Sequence, residues 1–382
     1  MQFRRSAPGL LISSAVVIIG LITGVSLLLT SQMLRNAEVD GFRLMRDVLT
    51  GTLKATEEKA LVRAELVSSM PAVRSAFNQR DRPKLLLETQ EMFKEQSEKY
   101  GLDQAQFHVP PGVSFLRLHR PEKFGDDQTS YRPMLTEVNR EKVLRKGVAI
   151  TRAGPAIAGI VPIFDDAGKH TGSFEMGLEF SPMLDKIKQS YGLEAAVFID
   201  EKMLREISTD LPGDVLTAEK RVGKYIRFHA THPLLLRALV TDRDIAVTDA
   251  TTYDRVVAGT PWGVQLVPMY NYMNKQIGVY ALSMDFSATR AAQGRSRVWQ
   301  LLAALFGLVL IAGTVLIVVR GLLLAPLKGL SDRFGALADG EASAPADPVD
   351  SYCDELRSLS ASYERLRSAQ SPPLEREARR DK

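Results

Sequence analysis

Residues 160–181 read IVPIFDDAGKHTGSFEMGLEFS, and residues 265–287 read QLVPMYNYMNKQIGVYALSMDFS. Each stretch runs as apolar strand, Pro, aromatic, polar turn, Lys, Gly, second apolar strand, acid, Phe and Ser. Pro162 answers Pro268, Gly172 answers Gly278, and Phe180 answers Phe286. Apolar runs on either side of Asp165-Asp-Ala-Gly168 make a hairpin by composition. Its return after about 105 residues predicts two tandem copies of one α+β module.

Working outward, Phe107–Val109 and Ser114–His119 alternate apolar and polar residues as strands do. Gly147–Arg152, Ala156–Phe164 and Gly172–Phe180 give three more strands. The second module opens near Tyr191 with the strand Leu193–Ile199. Before the strands, residues 31–70 have helix composition, with Phe42, Met45, Leu49, Leu53, Ala60, Ala64 and Val67 at helical spacing and Glu57 as the one break. This predicts a long stalk helix. A second helix over Arg82–Tyr100 follows Asp81 as N-cap, with Pro83 just inside.

Two apolar runs bracket this middle. Gly9–Thr30 is uncharged, and as a helix it reaches about 33 Å against a hydrocarbon core of about 30 Å. No A-x-A pattern follows it, which favours an uncleaved anchor over a signal peptide. Val298–Val319 is the second, with Trp299 near one end and Arg295, Arg297 and Arg320 flanking it. Lys and Arg are balanced around the second span, so its flanks do not orient it. The basic N-terminal tail, Arg4 and Arg5, places residues 1–8 in the cytoplasm. The expected division is a tail at 1–8, a span at 9–30, and an extracytoplasmic body at 31–290. The body divides into 31–185 with the stalk and distal module, and 186–290 as the proximal module. A span at 298–319, a helical linker at 320–370 and a charged tail at 371–382 complete it.

The segments LRLHRPEKFGDD (116–127), YRPMLTEVNREK (131–142) and GVAITRAGPAIAGIVPIFDDAGKHTGSFEMGLEF (147–180) resemble the double Cache sensory domain, over about residues 35–290. The resemblance implies two PAS-like antiparallel-sheet modules hung outside the membrane of a bacterial chemoreceptor or sensor kinase, with the stalk running beside both. After the second span, Pro326 precedes Leu327, Leu330, Phe334 and Leu337. A Gly/Ala/Pro-rich connector leads to Asp354-Glu355-Leu356, then Leu359, Tyr363 and Leu366. Two heptad helices joined by an extended connector bury their seams as a parallel bundle, four helices in a homodimer. This resembles a HAMP linker, with a shorter second helix that meets Ser371-Pro-Pro373 directly. The expected fold class is an α+β membrane protein: a long stalk helix with two tandem PAS-like antiparallel-sheet modules between two transmembrane helices, then a short parallel helical-bundle linker.

Several functions are disfavoured. With 49 Lys+Arg against 45 Asp+Glu, the net charge of +4 is too small and too scattered to argue for nucleic acid. Cys353 alone permits no internal disulfide and no cysteine metal cluster. His229 and His232 lack a third ligand at fixed spacing. No G-x-S-x-G, H-E-x-x-H or P-loop occurs, so no enzyme and no cofactor is expected. The chain stops soon after Leu366 without a kinase, cyclase or long coiled-coil stretch, so the expected output comes from a cytoplasmic signalling partner or was lost by truncation.

The candidate ligand residues lie in the first module. Arg117 and His119 are two apart on one strand and are expected on one face, with Phe115. Arg152 ends a nearby strand, Glu175 lies in the hairpin, and Tyr131 and Arg132 follow the GDD turn. Arg forks a carboxylate while His or Tyr orients it, so the set Phe115, Arg117, His119, Tyr131, Arg152 and Glu175 suits an anionic small molecule. A solvated edge strand is the alternative for Arg117 and His119, and Asp126-Asp127 reads as a loop anchor. The sequence expectation is an inner-membrane, multi-pass, homodimeric sensor in contact with lipid, of the kind used in chemotaxis. The alternative is an anchored scaffold binding a periplasmic protein.

Overall fold

A computed structural model describes residues 3–339 and 354–370. It falls into two compact units: residues 35–290, and residues 1–34 with 291–382.

In the unit 35–290 the first helix, α1 (Phe3–Ser69), contributes its C-terminal half as the stalk. Pro71 sits in the first turn of α2 (Pro71–Asn78), where its missing N–H costs nothing. Asp81 caps α3 (Arg82–Tyr100) by accepting from the Lys84 N–H, and left-handed Gly101 ends it. The distal sheet comprises β1 (Leu102–Val109), β2 (Val113–Arg117), β3 (Arg145–Thr151), β4 (Gly154–Phe164) and β5 (His170–Leu178), in the order β2-β1-β5-β4-β3. Helix α4 (Pro133–Glu141) covers one face. After α5 (Phe180–Tyr191) comes the proximal module: β6 (Glu194–Asp200), α6 (Glu201–Ile207), β7 (Arg221–Val222), β8 (Tyr225–Ala230), α7 (Pro233–Leu239), β9 (Thr251–Val257), β10 (Thr260–Tyr270) and β11 (Gln276–Asp285). Its order is β7-β8-β6-β11-β10-β9, in which β8-β6-β11-β10-β9 repeats the first sheet and the short β7 is an added edge strand.

The repeated sequence is a repeated physical solution. Asp165 Oδ1 accepts from the N–H groups of Ala167 and Lys169, and Asn271 Oδ1 does the same for Met273 and Lys275. Gly168 and Asn274 take positive φ at matching turn positions, 77° and 55°. Gly172 and Gly278 lie where a Cβ would strike a carbonyl of the neighbouring strand, His108 O and Phe198 O respectively.

The stalk serves two cores in succession. Met45, Val48 and Leu49 join the core that holds Phe180, Leu184, Val197, Ile199 and Leu282, with Phe42 and Leu53 at its edge. Ala60, Leu61, Ala64 and Val67 join Phe77, Phe107, Leu116, Val161 and Phe174 in the distal core. Glu57, the break in the apolar stripe, falls between these two sets. Burial pushes its carboxyl up, and Lys146 acts against that shift. The stalk approaches β4 so closely that a Cβ on Gly159 would meet the backbone of Ala60 and Leu61. The modules are joined by polar contacts at Asp210, which receives Lys123 Nζ at 2.9 Å and Arg120 at 3.2 Å. The Ser208 hydroxyl adds a 2.7 Å hydrogen bond to Thr151 O.

In the other unit, the N-terminal part of α1 and most of α8 (Ser287–Ile317) are long and apolar enough to cross a membrane. Gln300 Nε2 donates to Thr30 Oγ1 at 2.9 Å, near Ala303, Ala304 and Gly307, small residues that let two helices approach. A π-helical turn (Val318–Leu324) leads into α9 (Ala325–Ala338), which packs on α10 (Asp354–Gln370) through Leu330, Leu337, Leu356 and Tyr363. Leu327, Leu359 and Leu366 remain exposed. Most of the expected Gly/Ala/Pro connector lies outside the described residues.

Two outcomes follow. Gly159→Ala forces a methyl into the stalk backbone and should destabilise residues 35–290 by about 2 kcal/mol or more, whereas Gly213→Ala, in open space, should change stability by less than about 0.5 kcal/mol in thermal or urea unfolding. Burial raises the Asp210 carboxyl, but Lys123, Arg120 and Arg152 outweigh it and leave the group below its ordinary 3.8. A depressed carboxyl stabilises the fold above its unfolded value and stops doing so as pH falls through the folded one. The stability gap between wild type and Asp210→Asn should therefore be widest at neutral pH and narrow as pH falls below 3.8, measured by unfolding at several pH values.

Candidate functional site

The two faces of the distal sheet differ in chemistry. The face toward the helices carries Ala105, Phe107, Leu116, Phe174 and Met176, and the rings of Phe107 and Phe174 lie 4.3 Å apart. The opposite face carries Gln106, His108, Ser114, Arg117, Ser173 and Glu175, all buried. The register places Gln106 beside both Glu175 and Arg117, and His108 beside both Ser173 and Ser114.

The segment between β2 and α4, residues 118–132, covers this polar face. Arg117 anchors it with a bidentate pair to Asp126, 2.7 and 2.8 Å, and a hydrogen bond to Lys123 O. Arg82 adds a hydrogen bond to Pro121 O and stacks 3.4 Å from the centre of the Phe124 ring. Burial raises the Asp126 carboxyl, but Arg117 and Arg152 more than offset this and hold it below its ordinary value. At the head of α4, Arg132 enters the interior and pairs with Glu175, each side chain being 3% exposed. Its Nη1 also approaches Gln128 Oε1 at 3.4 Å.

Several buried polar atoms in this cluster have no partner: both His108 ring nitrogens, Gln128 Nε2, Ser173 Oγ and Glu175 Oε2. Leaving such an atom unpaired away from water costs about 1–3 kcal/mol. His108 is kept neutral, well below its ordinary value, by burial first and then by Arg132, Arg117 and His119.

Beside the cluster opens a cavity of about 670 Å³, lined by Tyr131, Arg132, Ile150, Arg152, Tyr272 and Lys275 among others. Arg152 Nε donates to the Tyr131 hydroxyl at 3.1 Å, and its Nη2 lies 3.5 Å from Asp126. Met203, Glu206 and Ile207 of α6 and the β10–β11 turn form the wall from the proximal module. Tyr272 of that turn accepts from Arg145 Nε at 2.7 Å. The corresponding face of the proximal sheet is filled by its own residues, Leu236, Leu239, Val240, Ile245 and Val247.

The structure thus separates the six expected residues. Tyr131 and Arg152 meet on the cavity wall. Glu175 lies behind Arg132, out of the cavity. Arg117 faces the cluster but is committed to Asp126, the anchor read from the sequence. Phe115 does not share its face. A β-bulge against Phe107 and His108 makes Phe115 the extra residue on β2, and its ring packs on Phe77 at 5.5 Å. His119 lies beyond the end of β2, with its ring 6.5 Å from that of Phe93 on α3, and burial and Arg117 push it down to about 4. The sequence reading missed His108, Gln128, Ser173 and Lys275. A polar residue on each β1 position of one face was the available signal. His229 and His232 have separate tasks: one contacts Ser181 and Asp185, and the other caps α7. Among the described residues no group of three His, Cys, Asp or Glu is placed to hold a metal.

The family model described as the double sensory domain of two-component sensor kinase matches residues 45–289. The sensor domain of the V. cholerae histidine kinase DctB is 10% identical with a TM-score of 0.39, over 65% of this chain and 98% of that one. The ligand-binding domain of the Campylobacter jejuni chemoreceptor Tlp3, solved with 4-methylisoleucine, is 10% identical with a TM-score of 0.34, over 73% of this chain and 94% of that one. No curated protein matches the chain. The match over residues 45–289, more than half of the chain, places the protein in the double Cache family dCache_3, the double sensory domain of two-component sensor kinases.

Proposed function

We propose that this protein is a membrane-anchored sensor that binds a small anionic molecule in the distal-module cavity and passes the event to a cytoplasmic helical bundle. The observation that carries the reading is the cavity itself. Three cations, Arg132, Arg152 and Lys275, line it against Asp127 and Glu206, and its floor adjoins buried polar atoms without partners. Asp127 is engaged by Thr129, and Arg132 by Glu175. Arg152, held by the Tyr131 hydroxyl and Asp126, and Lys275 stand beside Arg132. A carboxylate held between Arg152 and Arg132 and oriented by the Tyr131 hydroxyl fits this arrangement. The filled proximal face argues for one seat per chain, in the distal module.

In this reading residues 9–30 and 298–319 span the inner membrane, 31–290 hang outside, and both ends lie in the cytoplasm. Ligand in the cavity touches β3 of one module and α6 and the β10–β11 turn of the other, so it changes the relation of the modules rather than of one alone. The HAMP-like segment 320–370 receives the change as a homodimer. Exposed Leu327, Leu359 and Leu366 supply the faces that a second copy buries, at about 1.5–3 kcal/mol for each side chain fully covered. A cytoplasmic partner supplies the output, in chemotaxis or an equivalent two-component pathway. Differential affinity of a few kcal/mol is enough to shift such a two-state bundle.

The test is a thermal-shift and calorimetric screen of residues 36–292 against organic acids, amino acids, amines and purines. A carboxylate should stabilise the domain, and Arg152→Ala should weaken its binding at least tenfold with little loss of stability. Arg117→Ala, which frees the covering segment and leaves Asp126 with Arg152 alone, should instead lower stability by about 1–2 kcal/mol. Stabilisation by amines alone, or by none of these compounds, contradicts the reading.

A further inference from the structure

One buried titratable group has no task in this reading. His108 is fully buried on β1, neither ring nitrogen has a partner, and Nε2 lies 3.7 Å from the unpartnered Glu175 Oε2. The charged or titratable groups around the ring are Glu175 from β5, Arg132 from the head of α4, Arg117 at the end of β2 and His119 just beyond it. Its cross-strand neighbours, Ser114 and Ser173, are uncharged. Among these groups Arg132 alone also lines the cavity. Arg132 therefore both pairs with the Glu175 carboxylate and lines the ligand space.

We propose that a carboxylate seated against Arg132 binds together with one proton from solvent, which lodges on His108 and turns its contact with Glu175 into an ion pair. The proposal rests on the cavity being the ligand seat and adds a coupled proton to it.

The argument is charge balance in a dry interior. Without ligand, Arg132 and Glu175 cancel, and the imidazole stays neutral because burial and two nearby guanidinium groups oppose a third positive charge. A ligand carboxylate that shares Arg132 with Glu175 leaves the Glu175 carboxylate under-compensated beside His108, which is costly away from water. Protonating His108 restores the balance, and the ring sits where the freed share of Glu175 can accept from it. The alternative, a ligand that displaces Glu175 outright, reaches the same balance. The sign is fixed: the bound state holds the proton more tightly, so affinity is greatest at low pH. Affinity falls by up to tenfold per pH unit as pH rises through the bound-state value for His108.

The experiment has two arms on the whole chain in nanodiscs. In the first, ring-labelled histidine is followed by NMR against pH without ligand, with His108 assigned by its loss in His108→Gln. Arg132→Gln removes the cation between cavity and ring, and the His108 midpoint should rise by at least about one unit over wild type. Adding Glu175→Gln should return the ring to neutrality. If Arg132→Gln does not fold, the second arm decides alone. In it, wild type is titrated with straight-chain carboxylates from acetate to glutarate in buffers of different ionisation heat. Proton uptake approaching one per site, absent in His108→Gln, is the expected result. An unmoved His108 midpoint in folded Arg132→Gln, or carboxylate binding without proton uptake, overturns the proposal and leaves the ligand seat standing. Failure of every carboxylate to bind wild type removes the seat, and the proposal with it.

Discussion

Arg132 and Glu175 form an ion pair that is almost wholly out of water, and the distal site is arranged around it. A buried pair seldom adds stability over an apolar one, because taking two charges out of water offsets most of their attraction. Its effect here is positional. Arg132 is the last residue of the covering segment, and Pro133 starts α4 directly after it. Fixing that guanidinium on β5 fixes where the segment ends, where the helix begins and which donors face the cavity. Arg117 and Asp126 hold the segment's other end by the same chemistry. Between these two clamps the polar face of the sheet is sealed with several of its hydrogen-bonding atoms unmet.

The repeated hairpin was legible because its constraints are local. A turn capped by Asp165 or Asn271, a positive-φ residue three places on, and a glycine pressed against the next strand each need a particular residue at a fixed offset. All of them survive in both copies. The stalk was legible for a similar reason, since its stripe is periodic and its interruption at Glu57 coincides with the passage from one core to the other. The site was less legible because its contacts are long-range. Arg132 meets Glu175 across 43 residues of chain, and nothing in the local pattern assigns that partner. Alternation along β2 also misleads, because a single bulge turns Phe115 toward the helices while Arg117 faces the cluster. Arg117 looked like a ligand residue for the reason that makes it an anchor: a guanidinium on a buried face needs a carboxylate, and the chain supplies one in Asp126.

The two modules share an architecture and differ in what fills their cups. The proximal cup holds α7 and the apolar residues after it; the distal cup holds charges and open volume. The β10–β11 turn of the filled module reaches across to Arg145 and forms part of the open one's wall. The difference is physical: one cup is filled by apolar side chains, and the other keeps buried charges beside open volume.

Hydrogen–deuterium exchange on residues 36–292, with and without the carboxylate that stabilises them most, tests this difference directly. The account predicts slowed exchange in residues 118–134, in β3 and in the 271–275 turn, with α7 and β9 unchanged. Protection confined to residues 233–257 would place the ligand in the proximal module and contradict the account at its centre.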